Sequence, residues 1–305
     1  MASRYPIGGQ ALLEGVMMRG PRSWSVAVRT PDGAIAASAY PLPWNAAAHP
    51  WVRWPFVRGV WVLAEQLAIG MRALRLSAAY SLQEATGASV ETTERQLTWT
   101  MAIGIVVVLA VFIAGPALAA KLGGHAVGAR SSVAQNLLEG AIRLGLFLGY
   151  ILLISLVPGV RRTYQYHGAE HKTIAAYEAG DPFEPEVVDR YSTLHVRCGT
   201  NFLFIVLFLT IIVGLGIDMM VHGLPLAITA RLVAIPILAG GGYEVIRAAG
   251  RDPDSRALHI VSLPGLALQK ITTRPPDHSQ IEVAVKAIEA VIAAETAADA
   301  AADSR

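Results

Sequence analysis

Three residues of the segment 164–172 have the types and spacing of a metal site. His167 and His171 are four residues apart, and Glu170 directly precedes the second histidine. On a helix with a rise of about 1.5 Å per residue, the two imidazoles lie about 6 Å apart on one face and can reach one ion. The order His-x-x-Glu-His is that of inverzincin sites, where two histidines hold zinc and the glutamate activates water. The segment therefore predicts a divalent metal, first of all Zn²⁺, with Glu170 as the catalytic base.

Two other interpretations of this segment stay open. The same residues could form a metal-free polar or substrate-binding site, or a solvated helix face with no special task. A second pair of donors favours the metal, because His195 and Cys198 stand three residues apart and share one helical neighbourhood if that stretch is helical. Either could be the third ligand, with an open position left for water. Cys198 is the single cysteine, so an intrachain disulfide is excluded.

Further polar residues are candidates for substrate contact or for supporting the ligands. Glu178 shares a helix face with His171, but seven residues span about 10 Å, so the two cannot hold one ion unless the helix breaks. Glu244 is either a carboxylate ligand or a helix-end carboxylate facing water. The glycine-rich segment 8–20 permits close approach of a ligand or forms plain tight turns. The six candidates are Gln10, Glu14, Arg19, Lys172, Glu178 and Glu244.

The composition indicates a membrane protein. Of the 305 residues, 53% are hydrophobic and only 16% are charged, and the mean hydropathy is positive. A net charge of +2, without basic blocks interleaved with aromatic residues, gives no support to nucleic acid binding. The first residues lack the apolar core of a secretory signal, so we expect insertion to depend on internal segments. The predicted fold class is mainly α, a polytopic helical membrane protein.

Four segments are long enough to cross a hydrocarbon core of roughly 30 Å, which takes about 20 apolar residues. We expect Arg143 near one end of the second span, where its long stem can reach the surface. Arg231 and Pro236 interrupt the fourth span. The predicted spans are Thr98–Ala120, Leu137–Val157, Phe202–Val221 and Leu224–Tyr243.

The distribution of Lys and Arg orients these spans. The segment between spans two and three and the flank after span four are rich in basic residues, whereas the other two connections hold few. The positive-inside rule then places the N-terminal unit, the central loop 158–200 and the C-terminal tail in the cytosol. We expect a multi-pass protein of the bacterial cell membrane with both termini cytosolic. The lipid bilayer and a substrate at the cytosolic face are the predicted partners, and a homo-oligomer is possible.

The chain divides into four predicted parts. Residues 1–50 form a small cytosolic unit with a β-hairpin, whose turn is Pro31-Asp-Gly33. Residues 51–96 form an amphipathic or interfacial helical segment. Residues 97–246 carry the four spans. Residues 247–305 form a cytosolic tail with a loop and short helix, followed by an amphipathic helix whose narrow apolar stripe could dock on the N-terminal unit.

Four motifs are distinctive when they are taken together: segments 8–19, 166–173, 197–200 and 243–244. They resemble the YqhQ-like family of bacterial membrane proteins, a domain of unknown function, and the resemblance extends from Pro6 to about Ile288. Members of that family are described as predicted metal-dependent enzymes, so the resemblance implies a metal enzyme but no substrate. The chain departs from the family pattern at Val196, where Pro is usual.

These observations predict a membrane-bound, metal-dependent hydrolase with a site that faces the cytosol. The alternative is a non-enzymatic scaffold or small transporter in which the same residues form a polar network or a structural metal site. A transporter places ionisable groups near the middle of the membrane. The predicted spans hold few such groups, namely Arg143, Asp218 and Arg231, all expected near span ends. The sequence therefore favours chemistry at the interface over transport.

Overall fold

A computed structural model describes residues 5–44, 49–86, 99–100, 102–104, 106–108, 110–124, 131–221, 223–252 and 255–303. The predicted start of the first span, Thr98, lies outside these ranges, and the side chain of Asp218 is outside the described part of the structure. The prediction of a mainly helical fold with a small N-terminal β unit is confirmed.

The described N-terminal strands form an antiparallel meander in the order β1-β2-β3-β4. The predicted hairpin is confirmed as β3 and β4, and Gly33 takes a φ of +87° in its turn. The glycine-rich segment adds a further hairpin, β1 and β2, with Glu14 at φ +54° between them. The strands are β1 (Gly8–Leu12), β2 (Gly15–Arg19), β3 (Ser23–Arg29) and β4 (Ile35–Pro41).

Helices account for most of the remaining described residues. A short 3₁₀ turn, Pro50–Arg53, precedes the first helix, and a π-helical turn, Ala110–Ala114, leads into the second. The helices are α1 (Val57–Thr86), α2 (Gly115–Gly123), α3 (Ser132–Ile154), α4 (Pro158–Ala179), α5 (Pro185–Val188), α6 (Gly199–Met220), α7 (Leu224–Arg251), α8 (Arg256–Thr272) and α9 (His278–Asp303).

Four helices of the described chain are long and apolar enough to cross a membrane. They match the four predicted spans, although the last continues beyond Tyr243. Many of their Leu, Ile and Val side chains are exposed, as expected of helices whose outer faces meet lipid rather than water. The spans are Ala102–Gly123, Val133–Ile154, Gly199–Ile217 and Pro225–Arg251.

The middle of the membrane region contains an ionic network that the sequence analysis did not predict. Arg143 lies near the centre of α3, because this helix begins earlier than predicted. Its guanidinium pairs with Glu139 and donates to the carbonyl of Phe112, at 2.9 Å, and to Thr210. Arg231 of α7 pairs with the other oxygen of Glu139 at 2.8 Å. The expectation that Arg143 lies near a span end is therefore wrong.

The sheet is covered on both faces, which follows from strict alternation of its side chains. Met17 and Trp24 point into a cluster with Ile69 of α1. Val16 and Met18 point the other way, into a cluster built with α4 and α9. Since neighbouring strand residues face opposite sides, two apolar sets on one strand require two covering layers.

The last helix fastens the C-terminal end to the sheet. The predicted apolar stripe on α9 is buried against it, with Ile281 and Ile288 fully inaccessible. Glu295 is fully buried and accepts hydrogen bonds from the backbone N–H groups of Arg22 and Ser23, at 2.8 and 2.7 Å. The N-terminal sheet and the C-terminal helix therefore form one packed unit.

Candidate metal centre

Helix α4 carries the histidines into the interior of the protein. It begins at Pro158, whose fixed φ suits a first helical turn, and ends at Gly180, whose φ of +85° closes the helix in the left-handed region. Glu170 and His171 are 4% and 2% exposed, because β1, α9 and the segment that leads into α6 enclose the middle of α4. A buried position excludes the interpretation of these residues as a solvated helix face.

Three metal-binding side chains meet at this point. The donor atoms of His167, His171 and Cys198 all lie within 4.8 Å of one another. The two imidazole centroids are 4.4 Å apart, and Nε2 of His167 lies 3.2 Å from Sγ of Cys198. In a tetrahedral zinc site, bonds of about 2.0–2.3 Å put neighbouring donors roughly 3.3–3.8 Å apart. The cluster has about this size, so small side-chain movements suffice to hold one ion.

Backbone carbonyl groups fix both histidines in the same tautomer. Nδ1 of His167 donates to the carbonyl of Thr272 at 2.9 Å, and Nδ1 of His171 donates to that of Thr193 at 2.6 Å. We assign these protons to Nδ1 because a carbonyl can only accept. Each Nε2 is then left with a lone pair. A histidine that binds metal through one nitrogen and a backbone carbonyl through the other is the usual arrangement in metal sites.

Cys198 reaches the cluster as the N-cap of α6. Its Sγ accepts from the backbone N–H of Thr200 at 3.4 Å and lies 3.1 Å from the hydroxyl of that residue. The segment before it is irregular, so His195 and Cys198 do not share a helix. Burial raises the pKa of the Cys198 thiol, against the lowering effect of the Thr200 donors. Binding of a cation there would displace the thiol proton.

Burial keeps both His171 and Glu170 of α4 largely uncharged at neutral pH while no cation is bound. Burial lowers the pKa of His171 well below its usual value, and the neighbouring His167 lowers it further. His171 is thus neutral at neutral pH, as a ligand must be. Burial raises the pKa of Glu170 to about 8, an effect that Cys198 increases and His167 opposes.

Glu170 faces the backbone of β1 across a very small gap. A Cβ at Gly9 would lie only 2.8 Å from Oε1 and Cγ of Glu170, so a larger residue there would have to displace the Glu170 side chain. Oε2 of Glu170 is buried without a hydrogen-bond partner among the described residues. A buried carboxyl oxygen in this state is costly unless it meets a ligand, a water or an ion.

His195 lies beside the cluster without belonging to it. Its ring centroid is 5.6 Å from that of His171. The side-chain amide of Gln269 accepts a hydrogen bond from the backbone N–H of His195 at 2.8 Å and donates one to the carbonyl of His195 at 2.9 Å. Nδ1 of His195 accepts from the N–H of Arg197 at 3.3 Å, so Nε2 carries the proton and faces Glu178 at 3.6 Å. Burial lowers the pKa of His195.

The six other candidates lie outside the three-donor cluster and hold helices and strands together. Lys172 pairs with Asp189 at 3.0 Å and is buried, so α4 and the following segment are tied beside the site. Gln10 lies against Gly70 of α1. The remaining pairs are Glu14 with Arg162, Arg19 with Glu65, Glu178 with Arg197, and Glu244 with Arg58.

Sequence reasoning missed the groups that orient the cluster. The carbonyls of Thr193 and Thr272 carry no residue-type signal, because every residue has a carbonyl. The close approach of Gly9 to Glu170 could not be predicted, because the sequence shows Gly9 only as part of a glycine-rich segment. The pair Glu139 and Arg143 could have been found from its i, i+4 spacing on a predicted span.

Comparison with known proteins agrees with the motif resemblance. A family model described as a protein of unknown function (DUF1385) matches residues 54–294. The uncharacterized protein YqhQ of Bacillus subtilis (strain 168) is 34% identical over 291 residues, which cover 92% of this chain and 90% of that protein. The chain belongs to the YqhQ-like family. No solved structure matches this member of the family significantly. Because the family has no assigned function, its chemistry must be argued from the cluster itself.

Proposed function

We propose that this protein is a membrane-bound, metal-dependent hydrolase whose site faces the cytosol. His167, His171 and Cys198 hold the ion, which we take to be Zn²⁺ because two imidazoles and a thiolate suit that metal. The observation that carries the proposal is the pair of Nδ1–H bonds to backbone carbonyls, which leave two Nε2 lone pairs beside the sulfur of Cys198.

Three protein ligands leave a fourth position on a tetrahedral ion, which is the mark of catalytic rather than structural zinc sites. A bound Zn²⁺ supplies the Lewis acidity that makes water reactive near neutral pH. Glu170 follows His167 by three residues on the same helix face, and its buried Oε2 is free of protein partners in the described chain. Glu170 takes the proton of the attacking water and delivers it to the leaving group.

The first test is the metal content of purified protein, measured by inductively coupled plasma mass spectrometry. We expect about one zinc per chain in the parent protein. His167→Ala loses it, because one of three ligands is gone, while Glu170→Gln keeps it, because Glu170 is not a ligand. The exposed His278 on α9 supplies the control, and His278→Ala should bind metal as the parent does.

The opposite result would support the alternative function. A parent protein without bound metal, or equal metal in the parent and in His167→Ala, contradicts the proposed site. If both the parent and Glu170→Gln bind metal and neither hydrolyses a substrate, the ion is structural and the protein is a scaffold.

A second candidate function is transport. The network of Glu139, Arg143 and Arg231 favours it, because charged groups that lie inside a bundle of membrane helices commonly mark the path of an ion or substrate. The scarcity of ionisable groups in the predicted spans argued against transport, and the presence of this network weakens that argument. The network also has a simpler role, since pairing and hydrogen bonds to Phe112 and Thr210 hold α3, α6 and the first span together.

A further inference from the structure

A cavity of about 440 Å³ lies between the membrane-spanning helices. All four spans contribute to its wall. On α6 the lining runs from Leu203 to Ile217, and on α3 from Arg143 to Ile151. Nearly all of the exposed surface inside it is hydrocarbon, although Arg143, Thr210 and Arg231 stand among its lining residues. The cavity is therefore an apolar space inside the bilayer.

The dimensions of the cavity suit a hydrocarbon chain. An apolar cavity of about 150 Å³ stays dry and takes up a molecule such as benzene, and this cavity is about three times larger. Leu203 and Ile217 are fourteen positions apart, which corresponds to about 21 Å along α6. One leaflet contributes about half of a hydrocarbon core of roughly 30 Å, so a chain from one leaflet fits within this length. A component of the bilayer is the ligand that such an apolar space favours, since the surrounding medium is hydrocarbon.

The cavity and the metal cluster lie along the same helix, α6, with the cluster at its N-terminal end. Cys198 caps the helix and Leu203 follows it by five residues, which corresponds to about 7.5 Å along the axis. A lipid whose chain fills the cavity up to its Leu203 end would have the bond between chain and headgroup near the level of Cys198, where His167 and His171 also lie. This bond lies where hydrocarbon ends and polar groups begin.

We propose that the cavity binds one acyl chain of an ester-linked membrane lipid and that this lipid is the substrate of the metal centre. The substrate assignment rests on the proposed function, whereas chain binding does not. In the reaction, the oxygen of water bonds to the ester carbonyl carbon and the bond from that carbon to the alkoxy oxygen breaks. Glu170 accepts a proton from the water and passes it to the departing alkoxide, so the products are a carboxylic acid and an alcohol.

The amount of lipid that stays with the purified protein is the measurement that tests chain binding. We expect the parent protein in mild detergent to retain acyl lipid, which is identified by mass spectrometry after extraction. Ala234 of α7 lines the cavity, so Ala234→Phe fills part of it and should reduce retention at least five-fold. The neighbouring Val233 is 68% exposed toward the surroundings of the bundle, and Val233→Phe should retain as much lipid as the parent. Thermal unfolding of both variants shows whether the fold is intact.

Equal retention by folded Ala234→Phe and Val233→Phe, or no lipid above the detergent background in the parent, overturns chain binding. The identity of the lipid then tests the substrate. Glu170→Gln should hold the intact ester, while the parent loaded with zinc releases free fatty acid from added phosphatidylglycerol vesicles. Intact ester after incubation of both proteins overturns the assignment.

The two proposals can fail separately. Lipid without metal in the parent overturns the proposed hydrolase and the substrate assignment, and leaves chain binding supported. Metal without lipid overturns the cavity proposal and leaves the metal centre supported.

Discussion

Glu170 lies in an environment very different from that of a free side chain in water. It is 4% exposed, lies against the backbone of Gly9, and has an oxygen without a partner in the described part of the protein. Without a cation nearby, a carboxylate in such a position is unfavourable, and burial raises the pKa of Glu170 to about 8. A divalent cation at the adjacent donors would reverse this by favouring the ionised form.

Glu170 therefore makes the stability of the metal-free protein depend on pH. Between its unperturbed pKa of 4.5 and the folded value of about 8, the folded state binds a proton that the unfolded chain releases. The free energy of unfolding then falls as the pH rises through this window, by on the order of 4 kcal/mol at pH 8. Glu170→Gln cannot ionise, so this loss should be absent. Chemical unfolding of both metal-free proteins between pH 5 and pH 8 measures the difference.

Parallel pH curves for the parent and Glu170→Gln would contradict this account of the carboxyl group. Gln165 on the same helix offers a control that carries no titratable group, and Gln165→Ala should shift the stability equally at all pH values. Added zinc should bring the parent closer to Glu170→Gln at pH 8, because the ion favours the carboxylate.

At the residue scale, the sequence placed His167 and His171 together and left His195 and Cys198 as alternatives for a third donor, and it did not predict how the side chains are oriented. The types and spacing of His167 and His171 sufficed to place both rings on one face, and the convergence of Cys198 followed from neighbouring spans. The tautomers could not be predicted, because they depend on which backbone carbonyls pass within 3 Å of Nδ1. That is a property of chain paths that are far apart in sequence.

At the scale of elements, the segment between α8 and α9 packs closely against α4. A Cβ at Gly168 would collide with the carbonyl oxygen of Arg274, and the N–H of Arg274 donates to Tyr164 at 2.9 Å. This close approach brings the carbonyl of Thr272 to His167. A larger residue at position 168 must push the segment away.

Gly168→Ala should therefore weaken metal binding about 10- to 100-fold, the usual effect of losing a group that orients a ligand. Gly159 is the matched control, because it lies in the same helix with no atom within 4 Å of an added Cβ. Gly159→Ala should keep the parent's affinity and gain slightly in stability from better helix propensity. Competition with a zinc chelator measures the affinities. Equal affinities of the two variants would show that Thr272 does not orient His167.

Elements with long periodic patterns were predicted best. The four spans and the docking face of α9 follow from apolar runs and from a stripe at helical spacing. Helix α8 was expected as a loop and a short helix, because Pro264 and Gly265 are helix-breaking types. It stays helical because Gly265 fits against Asn201 of α6, a tertiary contact that local propensity does not include.

At the scale of the whole molecule, the sheet, α4 and α9 pack together, so the terminal regions and the metal cluster belong to one unit. The number of described candidate spans is even, which predicts that both terminal regions lie on the same side of the membrane. The positive-inside rule predicts that this side is the cytosol.

Labelling with a membrane-impermeant thiol reagent tests this orientation. In a Cys198→Ser background, Ala37→Cys on β4 should react only after the cells are permeabilised. Lys121→Cys, in the exposed end of α2, should react in intact cells. The reverse pattern would place the metal cluster on the outer face and contradict the predicted topology. Equal labelling of both positions in intact cells would show that the two positions lie on one side.

The contact of Glu295 with Arg22 and Ser23 joins the first strands to α9. Helix α9 leaves the ribosome after the four apolar helices, because it follows them in the sequence. The cluster that α9 builds with the sheet and α4 can therefore be completed only after the spans have been synthesised. We expect a chain that stops before α9 to keep the four apolar helices but to lack one wall around the middle of α4.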